Sequence, residues 1–171
     1  LQKQYVYGIG LISQLDTAGN EYVYHFDPTG HVMQMTNSGG AVVNQYNYAP
    51  FGEYRYKVES VSNPFTYVGE YGVMDDQNGL YYMRMRSYLP KTGKFISEDP
   101  LGIYISLNLL KYANNNPIQY IDPIGFVWND YTTWIHHGNW LGKDLSGGRT
   151  IGSGDIGDSN VPGVDLADEG A

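Results

Sequence analysis

Residues 16–52 read DTAGNEYVYHFDPTGHVMQMTNSGGAVVNQYNYAPFG, and their punctuation decides the fold. Asp16-x-x-Gly19, Asp27-x-x-Gly30 and Asn37-x-x-Gly40 recur at intervals of 11 and 10 residues, and Pro50-Phe51-Gly52 continues the beat. Between these signals lie alternating runs, Glu21 to Phe26, His31 to Met35 and Ala41 to Tyr48. Regular turns around short period-two runs predict consecutive hairpins and therefore a meandering antiparallel sheet. A larger period is superimposed: Tyr22-x-Tyr24 before Asp27-x-x-Gly30 is echoed two strands later by Tyr46-x-Tyr48 before Pro50-x-Gly52. Units of this size bury a continuous core only through their neighbours. Tyrosines in this phase read as cross-strand ladder and packing residues.

Composition points the same way. There are 17 Tyr against 5 Phe and 3 Trp, with 22 Gly, so strand formers and turn formers dominate and the class is mainly β. The net charge of −8 argues against a nucleic-acid partner, which needs clustered Lys and Arg. With no Cys there is neither a disulfide framework nor a thiolate metal site. His25 and His31 fall on adjacent predicted strands and face each other in that reading, yet without a third ligand they read as surface or packing residues. No metal and no cofactor is expected. No apolar run reaches the roughly 20 residues that span a bilayer. The opening LQKQYVYGIG has neither the charged nor the apolar region of a signal peptide and starts in mid-pattern without Met, so the chain is expected to be part of a longer protein.

Residues 57–64 turn polar and read as a loop. Phe65 to Gly69 and Leu80 to Tyr88 then resume as strands around a turn-rich 74–79, Pro90 to Gly93 is a tight turn, and Lys94 to Ser97 is a short strand. Ser106 to Ala113 is the best helix candidate, with Leu107, Leu110 and Tyr112 on one face and Asn114 to Pro117 stopping it. Within residues 81–126, YYMRMRSYLPKTGKFISEDPLGIYISLNLLKYANNNPIQYIDPIGF, one tetrapeptide occurs twice: Asp99-Pro100-Leu101-Gly102 before Ile103, and Asp122-Pro123-Ile124-Gly125 before Phe126.

The string G-L-Y-Y-x-R-x-R-x-Y-x-P-x-T-G-x-F-I-S-x-D-P-x-G from Gly79, the following Tyr112-x-x-Asn115-Asn116-Pro117 block ending in the second D-P-x-G, and the upstream tyrosine-aspartate repeats together resemble the RHS/YD-repeat proteins with their RHS-associated core domain. The match runs from about Tyr5 to Phe126. The resemblance implies a spiralling β-sheet that closes into a hollow shell, with the core domain plugging one end and a C-terminal toxin held inside. It divides the chain into repeats at 1–56, a core domain at 57–126 and the truncated start of a toxin domain at 127–171. It also implies self-cleavage after the second motif, with Asp99 and Asp122 as the aspartate pair and Phe126-Val127 as the scissile bond. Eighteen residues separate Ile103 from Asp122, as the tandem motif expects. Phe126 replaces the commoner Leu, and Glu98 stands where some branches carry Arg. The implied partners are the rest of the shell, the toxin, an immunity protein and secretion machinery, and the implied destination is secretion or delivery as a bacterial effector.

The chemistry stands without the resemblance. Amide hydrolysis needs a base to activate water and an acid for the leaving nitrogen, and two carboxylates sharing one proton supply both. Close like charges raise one pKa, and the titration then belongs to the pair. Glu98 adds a third negative group if the three converge. Pro100 and Pro123 fix φ after each carboxylate, while Gly102 and Gly125 permit a sharp reversal. Arg84 and Arg86 share a face of the predicted strand and pair with the aspartates, which lowers the carboxylate pKa values and competes with a shared proton. Asp-Pro-x-Gly is also an ordinary turn whose Asp caps backbone amides. A purely structural shell end, with both motifs as turns and no proteolysis, is thus the alternative, and a glycan-binding β-module displaying Tyr and Trp is a third reading.

Beyond Phe126 the character changes to glycine-rich, acidic sequence with almost no alternation, too little to fold alone. His137 to Gly142, Ser146 to Gly148 and Val161 to Asp168 faintly resemble the calcium-loop region of bacterial phospholipase A2-like toxins, but the Cys and His-Asp pair that should follow are missing, so no such activity is expected of this segment. A glycine-rich linker is the plainer reading.

Overall fold

In the computed structural model, which describes residues 3–100, 108–126 and 129–130, six strands follow one another as hairpins. They are β1 (Gln4–Tyr7), β2 (Leu11–Leu15), β3 (Glu21–Phe26), β4 (Val32–Asn37), β5 (Val42–Tyr48) and β6 (Tyr54–Glu59), antiparallel and in chain order. The repeated Asp/Asn-x-x-Gly signal acts at each turn. Asp16 Oδ1 accepts the amides of Ala18 and Asn20 at 2.8 and 2.9 Å, and Asn37 Oδ1 accepts those of Gly39 and Ala41 at 3.0 Å each. Asp27 does the same for Thr29 and His31. Gly19, Gly30 and Gly40 close these turns at φ between +78° and +86°, a region in which a side chain is strained. Turn chemistry therefore sets the hairpin register. Strand β6 continues through Glu59, so the polar loop expected over 57–64 begins only at Ser60: Lys57 pairs across the ladder with Tyr46.

One face of this sheet carries a row in which Tyr24 lies opposite Met35, Met35 opposite Asn44 and Asn44 opposite Glu59. Leu11, Val32, Tyr46 and Phe65 complete that core. Residues 60–66 pass back over it as a strap. Asn44 Oδ1 accepts the amides of Ser60 and Val61, its Nδ2 donates to Val61 O, and the Tyr24 hydroxyl lies 2.9 Å from both Gln14 Oε1 and Asn63 Oδ1. Buried polar groups of this kind stabilise only when partnered, and these are.

A second sheet, ordered β10-β9-β8-β7, is built from β7 (Met74–Asp75), β8 (Tyr81–Met83), β9 (Arg86–Leu89) and β10 (Lys94–Phe95). Its inward residues Tyr81, Met83, Tyr88 and Phe95 pack with Tyr67, Val68, Tyr71, Val73, Tyr112 and Ile121. Three tyrosines join the sheets: Tyr67, Tyr88 and Tyr81 donate their hydroxyls to the successive carbonyls of Pro50, Phe51 and Gly52, at 2.9, 2.8 and 2.9 Å. A phenylalanine fills the same space but leaves those carbonyls unmet, which is a physical reason for tyrosine to outnumber it here. A last pair, β11 (Tyr120–Ile121) and β12 (Asn129–Asp130), flanks residues 122–128.

Three further local expectations fail. Leu80 to Tyr88 is a hairpin rather than one strand: Met83 pairs with Arg86, and Arg84-Met85 form the turn, with Arg84 at φ 54°. Phe65 to Gly69 makes only an isolated bridge from Phe65 to Met74 before a 3-10 turn at Gly69–Tyr71. The helix expected at 106–113 is absent over its described part, Asn108 to Ala113. Lys111 bridges to Lys94, Tyr112 is extended, and Ala113, Asn114 and Asn115 all take positive φ. The apolar spacing there serves a buried Tyr112 anchor, and the asparagine run tolerates a left-handed turn that ends any helix. The expectations for 127–128 and 131–171, including the phospholipase-like strings, lie outside the described residues.

The two histidines part company. His25 is exposed on β3 with Nε2 2.9 Å from Thr36 Oγ1, whereas His31 is buried, stacked 4.2 Å from Tyr67, its Nδ1 accepting the Val68 amide at 3.0 Å. Burial pushes the His31 pKa down to about 4, with Asp27 opposing the shift. An unfolded histidine binds its proton more tightly, so the contribution of His31 to stability is complete above its ordinary pKa of about 6.5 and is lost as pH falls through about 4. Denaturant titrations are expected to show the wild type losing roughly 3 kcal/mol more than His31→Gln between those limits. Parallel pH profiles for the two proteins would contradict this role.

Candidate functional site

Arg86 opens β9 in phase with the buried Tyr88, so its side chain points into the second core. The guanidinium carbon lies over Phe95, 3.6 Å from the ring centroid. Each of its three nitrogens has a partner. Nε donates to the Gly125 carbonyl at 2.5 Å, Nη1 donates to the Leu109 carbonyl at 3.2 Å, and Nη2 meets Asp99 Oδ2 at 3.0 Å and Asp122 Oδ2 at 3.3 Å. The Arg86 and Asp122 side chains are each 2% exposed and that of Asp99 is 16% exposed, so one of the two carboxylates keeps a route to water. The two D-P-x-G aspartates, 23 residues apart in sequence, thus share one nitrogen.

Each aspartate is held by its backbone. The Asp99 amide donates at 3.0 Å to Leu109 O, the carbonyl that Arg86 also engages, while the Phe95 amide donates to Leu110 O. Asp122 follows β11 and begins a turn: the Gly125 amide reaches Asp122 O at 3.3 Å, and the Phe126 amide donates to Asp122 Oδ1 at 3.0 Å. Pro123 and Gly125 are both buried. Gly125 sits at φ +67°, and a Cβ there would lie 2.7 Å from the Met83 carbonyl oxygen. The hairpin tip clamps this turn from the other side, with the Met85 amide on Ile124 O and Arg84 donating from Nη1 to Pro123 O and from Nη2 to Tyr71 O.

Burial pushes the Asp122 carboxyl up to about 6. The Phe126 amide, Arg86 and the Gly125 amide hold it back, and Asp99 adds to the rise. The expected pairing of arginine with the aspartates therefore falls to Arg86; Arg84 serves the backbone of the second motif instead. Glu98 and Pro100 are exposed, and no ion pair among the described residues involves Glu98. Gly102 and Val127 lie outside the described residues. Sequence reasoning missed the Leu109 carbonyl and the Phe95 platform. The available signal was that Arg86 alternates in phase with Tyr88 on an inward face, a position that a charge occupies only when partnered.

No family model matches the sequence. The chain is 30% identical over 174 residues to the tRNA3(Ser)-specific nuclease WapA of Bacillus spizizenii, covering 90% of this chain and 7% of that protein. It is 32% identical over 104 residues to Toxin protein Tse5 of Pseudomonas aeruginosa, covering 61% of this chain and 8% of that one. Among solved structures it superposes on TcdB2-TccC3 with a TM-score of 0.64 at 22% identity, over 72% of this chain and 7% of that chain. On TcdB2-TccC3 without its hypervariable C-terminal region the TM-score is 0.58 at 26% identity, over 63% of this chain and 5% of that chain. The chain belongs to the RHS-repeat polymorphic toxin family. This RHS segment thus spans only about 7% of the length of its first curated relatives.

Because Gly125 ties the second RHS motif to both Met83 and Arg86, Gly125→Ala is expected to cost roughly 2–3 kcal/mol, from the positive φ and the carbonyl contact together. A chemical-denaturation midpoint within about 0.5 kcal/mol of wild type would show that the turn is not fixed there.

Proposed function

We propose that this segment is the self-processing, shell-closing part of its RHS protein, in which Asp99 and Asp122 hydrolyse the Phe126-Val127 peptide bond once and leave the C-terminal segment enclosed but no longer covalently joined. The observation that carries the reading is the convergence of both aspartates on Arg86, with Asp122 Oδ1 receiving the amide of Phe126, the residue that contributes the scissile carbonyl. A charge count supports a shared proton. One guanidinium neutralises one carboxylate, so a buried trio reaches neutrality with a single proton on the pair, and burial favours that state. Arg86 thereby limits the proton count without abolishing it.

Roles follow from exposure. Asp99, the more accessible, takes a proton from water as the oxygen attacks the Phe126 carbonyl carbon. Asp122, the more buried, delivers its proton to the Val127 nitrogen as the C–N bond breaks. The products are a carboxyl on Phe126 and an amine on Val127, and the pair retains one proton. Strands β11 and β12 flank the bond and pair with each other, Tyr120 opposite Asp130 and Ile121 opposite Asn129, which fits a scissile loop tethered at both ends.

The division into repeats at 1–56, a core domain at 57–126 and the start of a toxin domain from 127 belongs to this proposal. Relatives whose names specify different activities, a tRNA nuclease and a double-stranded DNA deaminase toxin, match this same segment, which supports a common carrier and processing unit rather than the toxic activity itself. Enclosure by the rest of the shell, assembly with further toxin components as in TcdB2-TccC3, a matching immunity protein and delivery outside the producing cell complete the reading. A second reading is favoured by the Asp122 to Phe126 turn, which is a fully formed cap: both motifs are then structural and the chain stays whole.

Intact-mass measurement of the purified denatured chain beside Asp99→Asn and Asp122→Asn separates the two. Self-processing gives fragments divided at Phe126-Val127 in the wild type and an uncut chain in either variant. Whole chains throughout, or cleavage that survives both substitutions, would favour the structural cap or an external protease.

A further inference from the structure

Tyr67, Tyr81 and Tyr88 line the second core, and each donates its hydroxyl to a backbone carbonyl. Tyr112 belongs to the same core, 0% exposed, with its ring centroid 4.3 Å from that of Tyr88 and 5.7 Å from that of Phe95. Its hydroxyl is buried and meets no hydrogen-bond partner among the described residues. The polar neighbours it faces are the Tyr67 hydroxyl, already donated to Pro50 O, and Asp122, through both the amide and the carboxylate. Burial pushes the Tyr112 hydroxyl well above its ordinary pKa; Tyr88 and the Asp122 charge add to the rise, while Tyr67 and the Asp122 amide oppose it. The group therefore keeps its proton at any working pH. An unpartnered buried hydroxyl costs stability, and phenylalanine fills the same space without that cost. Packing thus accounts for the ring of Tyr112 and not for its hydroxyl, which stands beside the more buried of the two aspartates.

We propose that Tyr112 is a positioning residue for Asp122: its O–H donates to the carboxylate as that group passes its proton to the Val127 nitrogen, and so steadies the charge left behind. The proposal rests on the self-cleavage reading above and adds to it a neutral donor that touches neither the scissile bond nor water. Tyr112 keeps its own proton throughout, and the hydrogen bond is the one contact it makes. The groups facing Asp122 are Arg86 from β9, Asp99 from the segment after β10, Tyr112 from the segment before β11, and the amides of Gly125 and Phe126. Asp122 Oδ1 accepts the Phe126 amide and Oδ2 meets Arg86, and a carboxylate with about four lone-pair sites has room for a further donor. A donor to the charged form lowers a carboxyl pKa, so loss of the Tyr112 hydroxyl moves the Asp122 titration to higher pH.

Tyr112→Phe removes the hydroxyl and keeps the ring. The rate of appearance of the Phe126-ended fragment is followed in the full chain, wild type beside Tyr112→Phe, together with the denaturation midpoint of each. The Asp122 carboxyl is titrated by carbon-13 NMR with and without Tyr112→Phe in an Asp99→Asn background, in which the chain stays whole. Cleavage is expected to slow roughly 10- to 100-fold in Tyr112→Phe, the worth of one hydrogen bond to a charged group. The midpoint is expected at or above that of the wild type, and the Asp122 titration at higher pH. A slower variant that is also less stable, or that fails to fold, makes the hydroxyl a structural bond and overturns the proposal. An unmoved Asp122 titration overturns it too, because Tyr112 would then not act through Asp122. A wild type that cuts beside a Tyr112→Phe that cuts as fast defeats this proposal alone, whereas a wild type that stays whole defeats the cleavage reading and the proposal together.

Discussion

A buried guanidinium is costly unless it is paired and hydrogen-bonded, and that constraint organises the segments around the second sheet. Arg86 is buried in the second core, and there it meets two carboxylates, two backbone carbonyls and an aromatic face. To satisfy it, the chain brings the segment after β10, the segment around Leu109 and the turn after β11 to one point. None of these segments has much regular structure. Their placement comes from the polar group they surround, so the local fold and the candidate chemistry share one cause.

The two sheets depend on a related device. Tyr67, Tyr81 and Tyr88 occupy the second core and reach with their hydroxyls to three successive carbonyls of the β5–β6 turn. Each ring supplies buried area and each hydroxyl satisfies a carbonyl that the turn leaves unpaired. The aromatic residues continue as a row through His31, Tyr67, Tyr88 and Tyr112, stacked over the first three and tilted by 39° at the last, with centroids 4.2 Å apart for the first pair and 4.3 Å for the last. Tyr112 brings that row to Asp122, so the repeat sheet and the candidate site belong to one continuous packing system.

The hairpin meander was readable in the sequence because Asp16, Asp27 and Asn37 impose turns by local hydrogen bonds, independent of anything distant. The aspartate pair was readable as a motif. Its convergence on Arg86 was only half readable, since the register that turns Arg86 inward depends on a two-residue hairpin at Arg84-Met85 that a run of strand formers conceals. Arg84 looks equivalent in sequence and does different work, binding carbonyls of Pro123 and Tyr71. The helix expected around Leu110 failed because periodicity reports which residues are apolar, whereas the bridge of Lys111 to Lys94 and the left-handed asparagine run decide the backbone.

The central claim is that this arrangement hydrolyses the bond after Phe126 with water delivered in place. Synthesis of the chain in a cell-free system made with oxygen-18 water, followed by mass spectrometry of the N-terminal fragment, tests it most directly. The account expects a fragment ending at Phe126 whose new carboxyl carries one atom of the heavy label. An uncut chain, or a fragment that ends at another residue, would contradict it.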